Sequence, residues 1–284
     1  MEKANLRLSW DDRHIDPAKL MEIHRVADLA LPESFGRDAT AKWLGPGAFG
    51  VFATSDDTLA GVARVFSDVL TTTWLADLCV DPRWRDQGLD RLLLDHISDR
   101  FRETALYCAA AADSVDVFTA AGIRPKAKLT PCRRPPGMPA PKPHDIPGIT
   151  IHDVPARFTV AGFDDVSESV GFGLSDRGMP RDTLYRQLFG EGVFGFFAET
   201  LEGRPVAFIR VLSDDLTKCY VAEICVHPEW QHRGVGRALA GRVVARFAHT
   251  AIWTEAFPNA VPMFEAAGLA RDTDFVGCSR APLE

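Results

Sequence analysis

The run Gln231-His232-Arg233-Gly234-Val235-Gly236 is built to hold an anion. Before it stands Ile224-Cys225-Val226-His227-Pro228; after it Val235, Leu239, Val243 and Phe247 recur at four-residue spacing. The first segment reads as a strand end and the second as the apolar stripe of a helix. A strand that turns directly into a helix presents first-turn N–H groups with no intrahelical partner, and the helix dipole adds positive charge there. The amides of Arg233 to Arg237 are expected to face the anion. Gly234 and Gly236 keep side chains out of a phosphate's way, and Arg233 and Arg237 add charge. Two other glycine motifs are excluded. The dinucleotide fingerprint needs Gly or Ala three residues after Gly236, where Leu239 stands. The nucleotide P-loop needs a Gly-Lys-Ser/Thr ending, which is missing. Taken alone, a G-x-G fits a plain tight turn equally well.

The elements around this loop occur twice. Residues 76–101 recur as residues 222–247 at a constant offset of 146, with ten of 26 positions identical. Phe118, Ala120, Ala121 and Gly122 match Phe264, Ala266, Ala267 and Gly268, and Cys132 and Arg134 match Cys278 and Arg280. Upstream, residues 47–53 match 192–198, and Arg37-Asp38 matches Arg181-Asp182. A period of this length is a domain rather than a solenoid repeat. Seven prolines between residues 131 and 147 mark an extended connector. The expected division is therefore 1–134, a linker at 135–147, and 148–284. The first copy reads Arg85-Asp86-Gln87-Gly88-Leu89-Asp90 at the loop, with an acid where the second has Gly236. One loop is expected to work and the other to be weakened.

The second unit reads as helical regions over about 157–171 and 182–189, the latter with Pro180 before it and Asp182 as N-cap. A hairpin at 195–200 and 205–213 and a strand at 219–226 come after them. The loop, its helix, a strand at 251–256, a helix at 259–267 with Gly268 as C′ residue, and a strand near 275–280 that closes the unit come next. The fold class is α/β: two tandem units, each a mixed, mostly antiparallel sheet with helices on both faces.

Composition excludes several classes. The net charge is −7 with no long basic run, which speaks against nucleic-acid binding. No apolar stretch is long enough to span a membrane, and the first residues carry no signal-peptide core, so a cytoplasmic protein is expected. Six cysteines without a C-x-x-C, and no zinc-like His spacing, predict reduced thiols and no metal.

The order hairpin, V-x-P strand, Q-x-x-G-x-G, helix, strand, N…F-E-x-x-G-L resembles the GNAT N-acetyltransferase superfamily, whose acyl-CoA loop reads [QR]-x-x-G-x-[GA]. Gln231, Gly234 and Gly236 fit; Arg85 and Gly88 fit, but Asp90 does not. The resemblance implies that His232, Arg233, Gly234, Val235, Gly236 and Arg237 hold the CoA pyrophosphate. It implies that Ile224, Cys225 and Val226 run beside the pantetheine arm, one amide stabilising the oxyanion. Asn259 would contact the pantetheine or the leaving thiol. Acetyl-CoA is the implied donor and a small-molecule primary amine the implied acceptor. Phe264 departs from the pattern, because the family often places a tyrosine there as general acid. Glu223 is the first candidate base and Glu255 the second, each equally readable as a structural carboxylate; Tyr220 is a candidate proton donor. Cys225 reads better as a small buried hydrophobe than as a nucleophile. Glu168 and Asp176 would suit a cationic acceptor. Two other readings keep the loop: an acyl-CoA-binding regulatory module without turnover, and acyl transfer to a protein or carrier-linked acceptor.

Overall fold

A computed structural model of the chain describes residues 6–11, 14–27, 29, 31–56, 58–173 and 178–283. The first half runs β1 (Leu6–Trp10), α1 (Pro17–Val26), α2 (Arg37–Trp43), β2 (Ala48–Ser55), β3 (Thr58–Ser67), β4 (Thr72–Val80), α3 (Leu89–Arg100), β5 (Ala105–Ala111), α4 (Val115–Ala120), β6 (Arg124–Pro125) and β7 (Thr130–Arg134). The second repeats it as β8 (Ile149–His152), α5 (Val160–Ser169), α6 (Arg181–Leu188), β9 (Val193–Thr200), β10 (Pro205–Ser213), β11 (Lys218–Val226), α7 (Val235–Arg246), β12 (Ala251–Ala256), α8 (Val261–Ala266), β13 (Ala270–Arg271) and β14 (Phe275–Arg280). Two seven-stranded sheets result, ordered β1-β2-β3-β4-β5-β14-β6 and β8-β9-β10-β11-β12-β7-β13. Each is antiparallel except for one parallel pair, β4 with β5 and β11 with β12.

The last strand overturns one expectation. Residues 275–280 do not close the second unit's sheet; β14 pairs with β5 and β6, Cys278 lying opposite Cys108. The edge of β12 is already taken by β7, with Thr254 opposite Cys132 and Ile252 opposite Arg134. A strand edge accepts one partner, and β7 reaches that edge first along the chain. One compact unit is thus residues 1–129 with 273–284, and the other is residues 130–272, in place of a cut at the linker.

Each unit has its own core. Leu89, Leu93, Ile97 and Phe101 pack with Val51, Ala63, Leu106, Phe118 and Cys278. Val235, Leu239, Val243 and Phe247 pack with Ile209, Val221, Ile252, Phe264 and Cys132. These are the two apolar stripes read from the sequence, and each fully buried Leu, Ile or Phe contributes roughly 1.5–3 kcal/mol. The other face of the second sheet carries an aromatic cluster, Phe163 lying 4.7 Å from Phe208 and Phe158 5.0 Å from Phe197 by ring centroids. Asp182 sits in the first turn of α6 rather than capping it; Pro180 holds the cap position. Gly268 is left-handed at φ +98°, and Leu269 N donates to Phe264 O, which ends α8 as expected.

Both long hairpins turn through the same device. Asp68 Oδ1 accepts from the amides of Leu70, Thr71 and Thr72, and Asp214 Oδ1 from those of Leu216, Thr217 and Lys218. The motif Ser-Asp-x-Leu-Thr stands at both places, a further match at offset 146.

Candidate functional site

The sheet of the second unit forks where the site is expected. The parallel pairing of β11 and β12 runs from Lys218–Ala251 to Tyr220–Trp253. Thr254 Oγ1 then donates to Val221 O at 3.1 Å. Beyond it β11 continues to Val226 and β12 to Ala256 with no register between them. A bulge lies at the root of the fork: Arg210 opposes Glu223 while Val211 opposes Val221, which leaves Ala222 as the extra residue. A bulge re-aims the side chains beyond it. Val221 lies in the α7 core, and Ile224 and Val226 pack against that core, so Glu223 and Cys225 alternate onto the opposite face.

The strand end passes into the glycine loop. Gln231 Nε2 donates to Val226 O at 3.0 Å, tying the loop back to β11. His232 has φ +59° and Gly234, the N-cap of α7, φ +86°. Left-handed residues that alternate along a loop turn successive amides toward one concavity, which suits an anion. His232, Arg233 and Arg237 are exposed, and the Arg233 guanidinium carbon stands 5.1 Å from the Trp230 ring centroid. Val235 is buried in the core and anchors the helix start. Gly236 has a packing role that sequence reasoning missed: a Cβ there would lie 2.6 Å from Met263 Sδ.

Glu223 is the candidate base with access to solvent. Its side chain is 16% exposed, Arg210 Nε donates to Oε2 at 3.2 Å, and the Cys225 thiol donates to Oε1 at 3.6 Å. Burial first, then the charge of Glu223, pushes the Cys225 thiol well above the ordinary range, which removes it as a thiolate nucleophile. Burial likewise raises Cys132, to about 11, and Cys219. Glu255 is buried on β12 opposite Pro131, and Tyr220 is buried on β11. Asn259 is exposed in the turn after β12. Phe264 is 2% exposed inside the apolar core, where a tyrosine hydroxyl would need a partner. Glu168 is exposed on α5, and Asp176 lies outside the described residues. Among the described residues no group of three or more His, Cys, Asp or Glu side chains could hold a metal ion, and no helix is long and apolar enough to cross a membrane.

The first unit forks and bulges in the same way. Its parallel pairing ends at Trp74–Tyr107, and Arg64 opposes Asp77 with Ala76 as the extra residue. The cleft face, however, is filled. Arg64 Nε donates to Asp77 Oδ2 at 2.6 Å, His24 Nε2 lies 3.8 Å from Oδ1, and the three side chains are at most 1% exposed. The Arg64 guanidinium stacks 4.2 Å from the centroid of Trp43 and 4.9 Å from that of Phe66. Where His24 bonds one turn back to Leu20 O, α5 has Ser167 bonded to Phe163 O. At the loop Asp86 and Gly88 repeat the left-handed pair with φ +64° and +77°. Asp90 stands where Gly236 does and accepts from Arg91 N at 2.7 Å. At the place of Met263 on α8, α4 has the shorter Val117.

The sequence profile described as "Acetyltransferase (GNAT) family" matches the chain twice, over residues 18–122 and 163–269. Serotonin N-acetyltransferase 2, chloroplastic, of Oryza sativa subsp. japonica is 33% identical over 84 residues, which is 28% of this chain and 41% of that relative's length. Among solved structures, a GCN5-related N-acetyltransferase from Sphaerobacter thermophilus aligns with a TM-score of 0.62 at 16% identity, covering 98% of this chain and 96% of that one. A tandem GNAT protein from the clavulanic acid biosynthesis pathway, solved without AcCoA, aligns with a TM-score of 0.54 at 14% identity, covering 96% and 98%. Similarity at these identities is similarity of fold.

Proposed function

Because the chain belongs to the Acetyltransferase (GNAT) family, we propose that it transfers an acetyl group from acetyl-CoA to a primary amine of a small molecule, with the working site in the unit of residues 130–272. The observation that carries this reading is the fork between β11 and β12, which leads from a solvent-accessible carboxylate, Glu223, to a loop with left-handed His232 and Gly234 beside exposed Arg233 and Arg237. A thioester arm laid in that fork meets the free edge of Ile224, Cys225 and Val226 as a neighbouring strand would. The loop from Gln231 to Arg237 holds the diphosphate through backbone amides, as helix N-termini do.

In the reaction the amine nitrogen bonds to the thioester carbonyl carbon, and the carbon–sulfur bond breaks. The amine proton goes to Glu223, directly or through a water, and the thiolate takes its proton from solvent or Tyr220. A backbone amide at the fork, within Ile224–Val226, stabilises the oxyanion. Asn259 steadies the thiol end of the arm, and Phe264 supports the site as core. Glu255, on β12, is the second candidate base. The rice relative's name, a serotonin N-acetyltransferase, supports an amine acceptor. One observation favours a binding module without turnover: Phe264, at the position where the family often has its acid, is sealed in the core.

The test is release of free CoA thiol from acetyl-CoA across a panel of small amines, with calorimetry of CoA binding alongside. Amine-dependent thiol release supports transfer. Tight CoA binding with no release on any amine, peptide or carrier supports the binding module instead.

A further inference from the structure

The proline-rich segment after β7 is fixed along its length to the unit that contains it. Arg134 holds its start, Nη1 donating to Gly268 O at 3.0 Å and Nη2 to Met138 O at 2.9 Å and Pro139 O at 2.8 Å. Gly137 N donates to Ala248 O at 2.9 Å. Pro141 stands 3.7 Å from where a Cβ at Gly268 would be. At the far end Arg242 Nη2, on α7, donates to Asp145 Oδ1 at 2.7 Å, and Ile146 packs on the core. The segment therefore runs as a strap from the α8–β13 corner to the start of α7. There it meets the glycine loop: a Cβ at Gly234 would lie 3.1 Å from Ile146 Cδ1 and 3.8 Å from His144 Nε2. His144 is exposed. The prolines limit the strap's freedom before anything binds, so little ordering remains to oppose binding.

We propose that this strap is a wall of the acyl-CoA site and that His144 is one of its phosphate-binding residues. The proposal rests on the reading of the Gln231–Arg237 loop as the phosphate site. Backbone amides supply most of that loop's donors, while Gln231 is tied to Val226 O and Arg233 lies over Trp230. An imidazole N–H beside Gly234 adds a donor from outside the loop. Ile146, packed on the core, holds the strap against the loop's flank and so fixes where His144 stands. The ligand chemistry is a phosphate of CoA, either the diphosphate or the 3′-phosphate.

The experiment is calorimetry on the full-length protein with CoA and with dephospho-CoA, comparing wild type and His144→Ala. His144 is exposed, so the variant should melt at the wild-type temperature. CoA binding is expected to weaken about tenfold or more, the scale of one hydrogen bond to a charged group. An equal loss with dephospho-CoA places His144 on the diphosphate; a loss with CoA alone places it on the 3′-phosphate. If His144→Ala binds CoA with wild-type affinity while Gly236→Asp combined with Met263→Val is weakened, the loop reading stands and the strap proposal is overturned. If the wild-type protein binds no CoA, the loop reading itself falls.

Discussion

The two units share a frame and differ in what stands around it. Both have the fork, the bulge, the left-handed loop and the apolar helix stripe. In residues 76–101 six carboxylates accompany four arginines, whereas in residues 222–247 two accompany four. The acids are placed where they matter: Asp81, Asp86, Asp90 and Asp113 hold the positions of His227, His232, Gly236 and Asn259. On the other face, the Arg64–Asp77 pair is sealed by His24, Trp43 and Phe66, while Arg210–Glu223 stays open. The difference teaches that one frame tolerates two surroundings. Like charges can gather at the loop without loss of the fold, and a buried ion pair can become part of the core once its open side is packed.

Separating the units should have the largest effect. Residues 130–272 form one sheet and one core from a continuous segment and are expected to give a cooperative thermal transition alone. Residues 148–284 lack β7 and must bring β14, which carries the matching Cys278 and Arg280, to the edge of β12, so they should unfold at a markedly lower temperature than residues 130–272 by circular dichroism. A 148–284 fragment as stable as residues 130–272 would break the comparison at its root.

The two ion pairs provide a sharper contrast. Asp77→Asn leaves the Arg64 charge unmatched and should cost about 3 kcal/mol or more in chemical denaturation, with kcat nearly unchanged. Glu223→Gln should lower kcat by roughly 10²-fold and cost less stability than Asp77→Asn, because Glu223 is partly exposed although Arg210 is nearly as buried as Arg64. Equal kinetic effects at both positions would erase the assignment of the working unit.

Next come the loops. Gly236→Asp alone would strike Met263, so it is paired with Met263→Val to copy the Asp90–Val117 arrangement. This double variant should bind CoA about tenfold or more weakly, because a carboxylate then faces the diphosphate. Asp90→Gly is expected to recover little binding, since Asp86 and Asp113 remain. Calorimetry decides both.

The smallest effect concerns the cap glycines. Gly88→Ala and Gly234→Ala each force an alanine into a left-handed conformation, which costs roughly 1–2 kcal/mol. Gly234→Ala should cost more, because its Cβ meets Ile146 at 3.1 Å whereas nothing lies within 4 Å at Gly88. The two melting temperatures test this.

Much of this was legible because a duplication is its own control. The offset of 146 located both loops, both helix stripes and the acid that stands in place of Gly236 before any coordinates. The exchange of strands was not legible, for a physical reason. Cys132–Arg134 and Cys278–Arg280 fit the same place in the same fold, and a self-match cannot say which sheet each joins. β7 and β14 present the same buried Cys and Arg to either edge. The pairing of Gly236 with Met263 was hidden because it joins two helices, and only their approach brings the Met263 thioether onto the glycine. It had a trace: Asp90 and Val117 change together relative to Gly236 and Met263. The surroundings of Glu223 and Asp77 diverge through neighbours on α1 and α2, far away along the chain. No local motif carries that information.

The crossed strands also set an order of assembly during synthesis. The second unit to be translated has all of its strands once residue 272 has left the ribosome. The first waits for residues 275–280, because the free edge of β5 has no partner until they arrive. Nascent proteins ordinarily complete their domains from the N-terminus onward. Here the earlier half must wait through the making of residues 130–272 with a sheet edge uncovered, and β14 is the clasp that closes it.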